Sequence, residues 1–153
     1  MPKRTVSFHY LSISREEDLP ATREARRLYL TCVEVEAVFT NIYNEMTRLQ
    51  SGSRIRTVDT PYNQYFVEVL NFTNHLAFIR IGQQNPNNTF GIRDTETLEQ
   101  TEVPMRATQL LELYTYCLVD FQHCIISYIG VNGAPKISAL RYLINDNFTP
   151  NQH

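Results

Sequence analysis

Eight apolar residues, Ala25, Leu28, Cys32, Val35, Phe39, Ile42, Met46 and Leu49, recur alternately three and four positions apart. That period sets all of them on one stripe of a helix, which predicts a helix over roughly residues 21–50, ending before Ser51-Gly52-Ser53. An apolar stripe of this length must be covered, so it constrains everything packed around it. Tyr29, Val38 and Tyr43 widen the stripe, which favours packing on a sheet over a two-stranded coiled coil. Leu30 and Val33 on the back face keep a dimer seam open. The β-branched, alternating run Val33-Glu34-Val35-Glu36-Ala37-Val38 carries the rival reading, a strand near residues 32–39. The register held across the whole segment decides for the helix.

Val6-Ser7-Phe8-His9-Tyr10 alternates with period two and runs into Leu11-Ser12-Ile13. It predicts a first strand with apolar groups on both faces, interior to a sheet. Ser14-Arg15-Glu16-Glu17 has capping-box spacing, and Asp18 or Thr22 offers another start for the helix. Arg54 to Val58 reads as a strand closed by Thr60-Pro61. Tyr65 to Leu70 and Leu76 to Ile81 read as two strands about Thr73-Asn74-His75. A polar loop follows from Gly82 to Asn88, and Glu96, Glu99 and Glu102 read as a solvated acidic face.

Leu113 to Val119 and Cys124 to Ile129 surround a short polar turn and predict a hairpin buried on both faces. With Phe121-Gln122 as the turn, Val119 pairs with Cys124 and Cys117 with Ile126. Cys117 and Cys124 then lie about 7–8 Å apart on a diagonal. That is too far for a disulfide, so free thiols are expected. Gly130 to Pro135 leads into a closing helix with Leu140, Leu143 and Ile144 on its buried face, and residues 145–153 read as a frayed tail. The order predicts an α+β fold: a mainly antiparallel sheet with one long N-terminal helix and a short C-terminal helix packed on one face.

A chain of 153 residues fits a single domain over 1–153 that buries a core without metal or disulfide staples. A net charge of −2 excludes a general nucleic-acid binder, whose footprint is strongly basic, but leaves room for a local basic patch. Cys32, Cys117 and Cys124 form no C-x-x-C pair, and His9, His75, His123 and His153 are scattered, so no metal or cofactor is expected. Met1-Pro2-Lys3-Arg4 is followed by an alternating segment, so no secretory leader is read. No stretch approaches the ~18 apolar residues of a membrane span. A cytoplasmic setting with reduced thiols is expected, and the three N-x-T triplets at Asn71, Asn87 and Asn147 are read as chance.

Two constellations offer chemistry. Asp120 and His123 flank the turn beside Cys124, the nearest thing to a catalytic cluster. Neighbours on a strand diverge, so His123 and Cys124 point apart, and a cross-turn ion pair is the plainer reading. Arg23, Arg26 and Arg27 fall near the expected start of the long helix, and Arg48, Arg54 and Arg56 near its end. Cations are unfavourable at a helix start, so solvated arginines offset by Glu24 and its neighbours compete with a site for an anionic partner. Tyr62 and Tyr65 are the candidate stacking aromatics, though covering the core edge explains them too.

Phe66-Val67-Glu68-Val69, Tyr116-Cys117-Leu118-Val119-Asp120, Ile125-Ile126-Ser127-Tyr128 and Gly133-Ala134-Pro135 before a leucine-rich helix together resemble the N-terminal part of uncharacterised bacterial proteins. Some of these are associated with phage defence or abortive infection. The resemblance spans about residues 55–145, rests on strands and a turn, and carries no catalytic residue to this chain. It implies a setting in bacterium–phage conflict. The leading expectation is a non-catalytic module that binds a macromolecule, most simply a protein, with a homodimer open. A nucleic-acid binder using the arginines near the helix ends is the first alternative. A hydrolase or nuclease using Asp120 and His123 is the second.

Overall fold

The computed structural model describes residues 6–18, 25–49, 54–85, 91–130 and 132–148. Their order is β1 (Val6–Tyr10), β2 (Ser14–Asp18), β3 (Ala25–Tyr29), α1 (Cys32–Leu49), β4 (Ile55–Asp59), β5 (Gln64–Phe72) and β6 (Leu76–Gln84). There follow β7 (Gly91–Arg93), β8 (Gln100–Glu102), β9 (Glu112–Asp120), β10 (Ile125–Ile129) and α2 (Ala139–Phe148). Six strands form one sheet in the order β1-β10-β9-β6-β5-β4, every neighbouring pair antiparallel. The pairs β2–β3 and β7–β8 stand as separate two-stranded ribbons. The fold is therefore α+β, with a mainly antiparallel sheet and two helices.

Period-two alternation decides which side of the sheet is buried. Val67 and Val69 on β5, Ala77, Ile79 and Ile81 on β6, and Thr115, Cys117 and Val119 on β9 all point to one side. Val35, Phe39, Ile42 and Met46 of α1 join Ala139, Leu140, Leu143 and Ile144 of α2 in the same core cluster. Both helices thus lie on one face of the sheet. The single buried polar side chain among the described residues, Thr115, is satisfied by donating from Oγ1 to the Pro135 carbonyl at 2.6 Å. That bond ties the loop before α2 to β9.

The long helix is shorter than its stripe. It starts at Cys32, and Ala25 and Leu28 belong to β3, which pairs with β2 from Ser14↔Tyr29 to Asp18↔Ala25. The physical reason is a capping box at Thr31, well beyond Ser14. The Glu34 carboxylate accepts the Thr31 N–H at 2.7 Å, and Thr31 Oγ1 accepts the Glu34 N–H at 3.4 Å. Two of the eight stripe positions matched the helical period from inside a strand. The back-face seam suggested by Leu30 and Val33 loses its first turns for the same reason.

Four further expectations are corrected. First, β1 is an edge strand and not an interior one: Phe8 and Tyr10 are 71% and 88% exposed. Second, the β9–β10 turn takes four residues, Phe121 to Cys124, with Cys124 at φ 50°. Asp120 therefore pairs with Ile125 and Cys117 with Tyr128. Third, the thiols are not all free. Cys124 leaves the turn to form a disulfide with Cys32 at the start of α1, with Cα atoms 5.6 Å apart. Only Cys117 is a free thiol, and burial pushes it up to about 12, which keeps it unreactive. Finally, α2 continues to Phe148 through the first part of the expected tail, while 149–153 lie outside the described residues.

Candidate functional site

The side of the sheet away from the helices carries the feature that most needs a function. By the pairing register, its positions on successive strands include Phe8 on β1, Ser127 on β10, Leu118 on β9 and Phe78 on β6. On β5 Phe78 meets Asn71, and one rung along Arg80 pairs with Glu68 and Glu68 with Ile55 on β4. Phe8, Leu118, Phe78 and Ile55 are all exposed, as are Val6, Tyr10 and Tyr114 on the same side. Aromatic rings pack on one another across β6 and β9: Phe78 stacks on Tyr116 at 5.6 Å, and Tyr114 meets Tyr116 edge-on at 5.2 Å. No helix among the described residues covers it.

Part of the charge on this side is gathered in one compact group. The Arg80 guanidinium pairs with the Glu68 carboxylate across β6 and β5 and lies 5.9 Å from the Tyr114 ring centroid. Glu112 lies over Gly82, where a Cβ would collide with its carboxylate, so the glycine is what lets that side chain lie across the strand. Partial burial raises the Glu112 pKa and Glu68 adds to it, against the opposing pull of Arg80. For Arg80, burial pulls the pKa down, but the hydrogen bond and charge of Glu68, helped by Tyr116 and Glu112, outweigh it and raise the value. With Asp59 on β4 and Asp120 on β9, which the register sets on the same side, the six strands present one cation against four carboxylates here.

The residues singled out from sequence do not converge on one site. Arg23 lies outside the described residues. Arg26 and Arg27 sit on β3 opposite Glu17 and Glu16, not at a helix start. Arg54 and Arg56 do reach the end of α1, but as links within the chain. The Arg54 guanidinium lies 5.9 Å from the Tyr43 ring, and Arg56 is 4.0 Å from Glu45. Tyr65 packs against the core edge, while Tyr62 is 90% exposed in the β4–β5 turn.

Asp120 and His123 do meet. His123 Nδ1 lies 2.8 Å from Asp120 Oδ2, and the other Asp120 oxygen accepts the Gln122 and His123 N–H groups at 2.8 and 3.2 Å. The side-chain hydrogen bond from His123 holds Asp120 below the usual carboxylate range, with the two N–H groups assisting. All of this is the hydrogen bonding that shapes the turn. The adjacent sulfur is tied up with Cys32, so no thiol nucleophile is available to the imidazole. Among the described residues no group of three His, Cys, Asp or Glu is arranged to hold a metal, and no helix is long and apolar enough to cross a membrane.

A groove of about 550 Å3 lies between β1 and α2, floored by Ile126, Leu140 and Ile144 and rimmed by His9 and Arg141. Its floor is core, with side chains already packed against the sheet. No protein-family model, curated protein or solved structure matches this chain.

Arg80, Phe78, Tyr114, Tyr116 and Leu118 were not singled out by sequence reasoning. The runs containing them are apolar on alternate and intervening positions alike, which reads as burial on both faces. The available signal was Arg80 and Glu68, charges spaced within two otherwise apolar strands.

Proposed function

We propose that this chain is a non-catalytic interaction module that binds a macromolecular partner, a protein, through the helix-free face of its sheet. The carrying observation is the set of exposed apolar and aromatic side chains that β1, β9, β6 and β4 present on this face. Exposed apolar patches rimmed by polar residues mark interaction sites, and interface cores are enriched in Tyr, Phe and Arg. The charge pattern favours protein over nucleic acid. A phosphate backbone laid across this face meets Glu68 and Glu112 as well as Arg80, and the other arginines are spread over different elements. The setting in phage defence or counter-defence rests on the resemblance alone. The Cys32–Cys124 pair weighs against the expected cytoplasmic residence, because cytosolic thiols are kept reduced.

The test is paired capture from the organism's own lysate, with wild type and Leu118→Lys as baits. A protein held by wild type and lost from a folded Leu118→Lys bait is the expected result. A protein held equally by both places the working surface elsewhere.

A further inference from the structure

We propose that Cys32 and Cys124 are an oxidant-responsive modification site. A hydroperoxide closes this thiol pair into the disulfide within the folded chain, and a small thiol such as glutathione reopens it.

The two sulfurs are brought together by the fold and not by the bond. On one side, Cys32 is the first residue of α1, whose first turn is fixed by the Thr31–Glu34 cap and by the Val35 N–H donating to the Thr31 carbonyl at 2.9 Å. On the other, the β9–β10 turn is set by bonds that involve no sulfur. The Phe121 N–H donates to the His75 carbonyl at 2.9 Å, the Gln122 and His123 N–H groups donate to Asp120, and the Leu11 N–H donates to the Cys124 carbonyl at 2.7 Å. The Phe121 ring, in the same turn, packs on Phe39 of α1 at 5.5 Å and docks the two elements. The Cα atoms of Cys32 and Cys124 are left 5.6 Å apart, the usual spacing for a disulfide, so the bond can open and close without moving the backbone.

The three cysteines differ in access. Cys117 is sealed in the core, and burial holds it as a thiol. Cys32 and Cys124 are half-buried beside the exposed Thr31, Val33, Gln122 and His123, so a small oxidant or thiol reaches them. Cys32 is the better nucleophile, because the positive end of the α1 dipole favours its thiolate. Glu34 opposes this, but its carboxylate is engaged by the Thr31 N–H and O–H. Beside Cys124, the His123 imidazole is turned to Asp120.

The Cys32 thiolate attacks one oxygen of hydrogen peroxide. An S–O bond forms, the O–O bond breaks, and hydroxide leaves. The sulfur, oxidised by an electron pair, is now a sulfenic acid. Cys124 gives up its proton, its sulfur attacks that of Cys32, and the S–O bond breaks to release water. Glutathione reverses the closure by thiol–disulfide exchange and leaves as glutathione disulfide.

The experiment starts from the full chain reduced with dithiothreitol and desalted, with circular dichroism reporting the fold. An equivalent of hydrogen peroxide, then alkylation in denaturant and intact mass, is expected to take the free thiols from three to one, with Cys117 untouched. Excess glutathione is expected to return the count to three. In Cys124→Ser, dimedone is expected to trap the sulfenic acid on Cys32, forming at least about 10-fold faster in the folded chain than in urea. A reduced chain that does not fold, a count that peroxide leaves at three, or a bond that excess glutathione leaves closed overturns the proposal, and none of these depends on a variant folding. So does a dimedone label on Cys124 of Cys32→Ser with none on Cys32 of Cys124→Ser.

Discussion

Phe39→Ala is expected to destabilise the fold by about 3–5 kcal/mol, the cost of truncating a buried aromatic and leaving its cavity. Phe39 is 3% exposed on the core side of α1, and its ring lies 5.5 Å from that of Phe121. Phe121 in turn meets Phe72, which stacks on Tyr43 at 4.6 Å. The truncation therefore opens one end of an aromatic chain that ties α1 to the β5 end and the β9–β10 turn. Few neighbours can collapse into the gap, because the rings hold one another in place. Chemical denaturation measures it, and a change below about 1 kcal/mol would show that α1 does not pack as described.

The second large effect concerns Cys32 and Cys124. They join positions 92 residues apart, so the cross-link removes much of the freedom of the unfolded chain. Loop-closure entropy puts the stabilisation at about 4–5 kcal/mol for a loop of this length, less whatever strain the native state bears. Cys32→Ser, or full reduction, is expected to lose most of that. Thiol counting on protein drawn from its own cells settles whether the bond exists there: one thiol per unfolded chain before reduction and three after. Three before reduction would restore the expectation of free thiols and the cytoplasmic setting with it.

The cysteine pairing shows where sequence reasoning reaches its limit. Cys32 and Cys124 are brought together by the packing of α1 against the sheet and by a turn of four residues in place of two. Neither is local, and a two-residue error in the turn was enough to misplace Cys124 relative to every neighbour. By contrast, β5, β6 and their turn at Thr73 to His75 were legible from the sequence, as were β9, β10 and the buried face of α2. Their signals are period-two or period-3.6 patterns bounded by polar residues. Residues 25–31 were misread because Ala25 and Leu28 extend the helical spacing of the stripe while standing in β3, where a spacing of three sets them on opposite faces. The deciding cap is at Thr31 and Glu34, while Ser14 and Glu17 offered the same spacing earlier.

The candidate site was illegible for a different reason. An exposed apolar sheet face and a buried one have the same sequence. Phe78 and Ile79, or Leu118 and Val119, differ little in hydrophobicity, yet in each pair one is open and the other sealed. Only the placement of both helices on one side separates them.

Lysine at two adjacent positions tests that separation most directly. Leu118 is 38% exposed on the helix-free face and Val119 is fully buried on the other. Thermal melts of Leu118→Lys and Val119→Lys are expected to diverge. The first should keep a cooperative transition, its aliphatic stem lying on the sheet with the ammonium in solvent. The second should lose it, because an unpaired charge enters the core. If Leu118→Lys also fails to fold, the face is not open and the binding surface proposed for it does not exist.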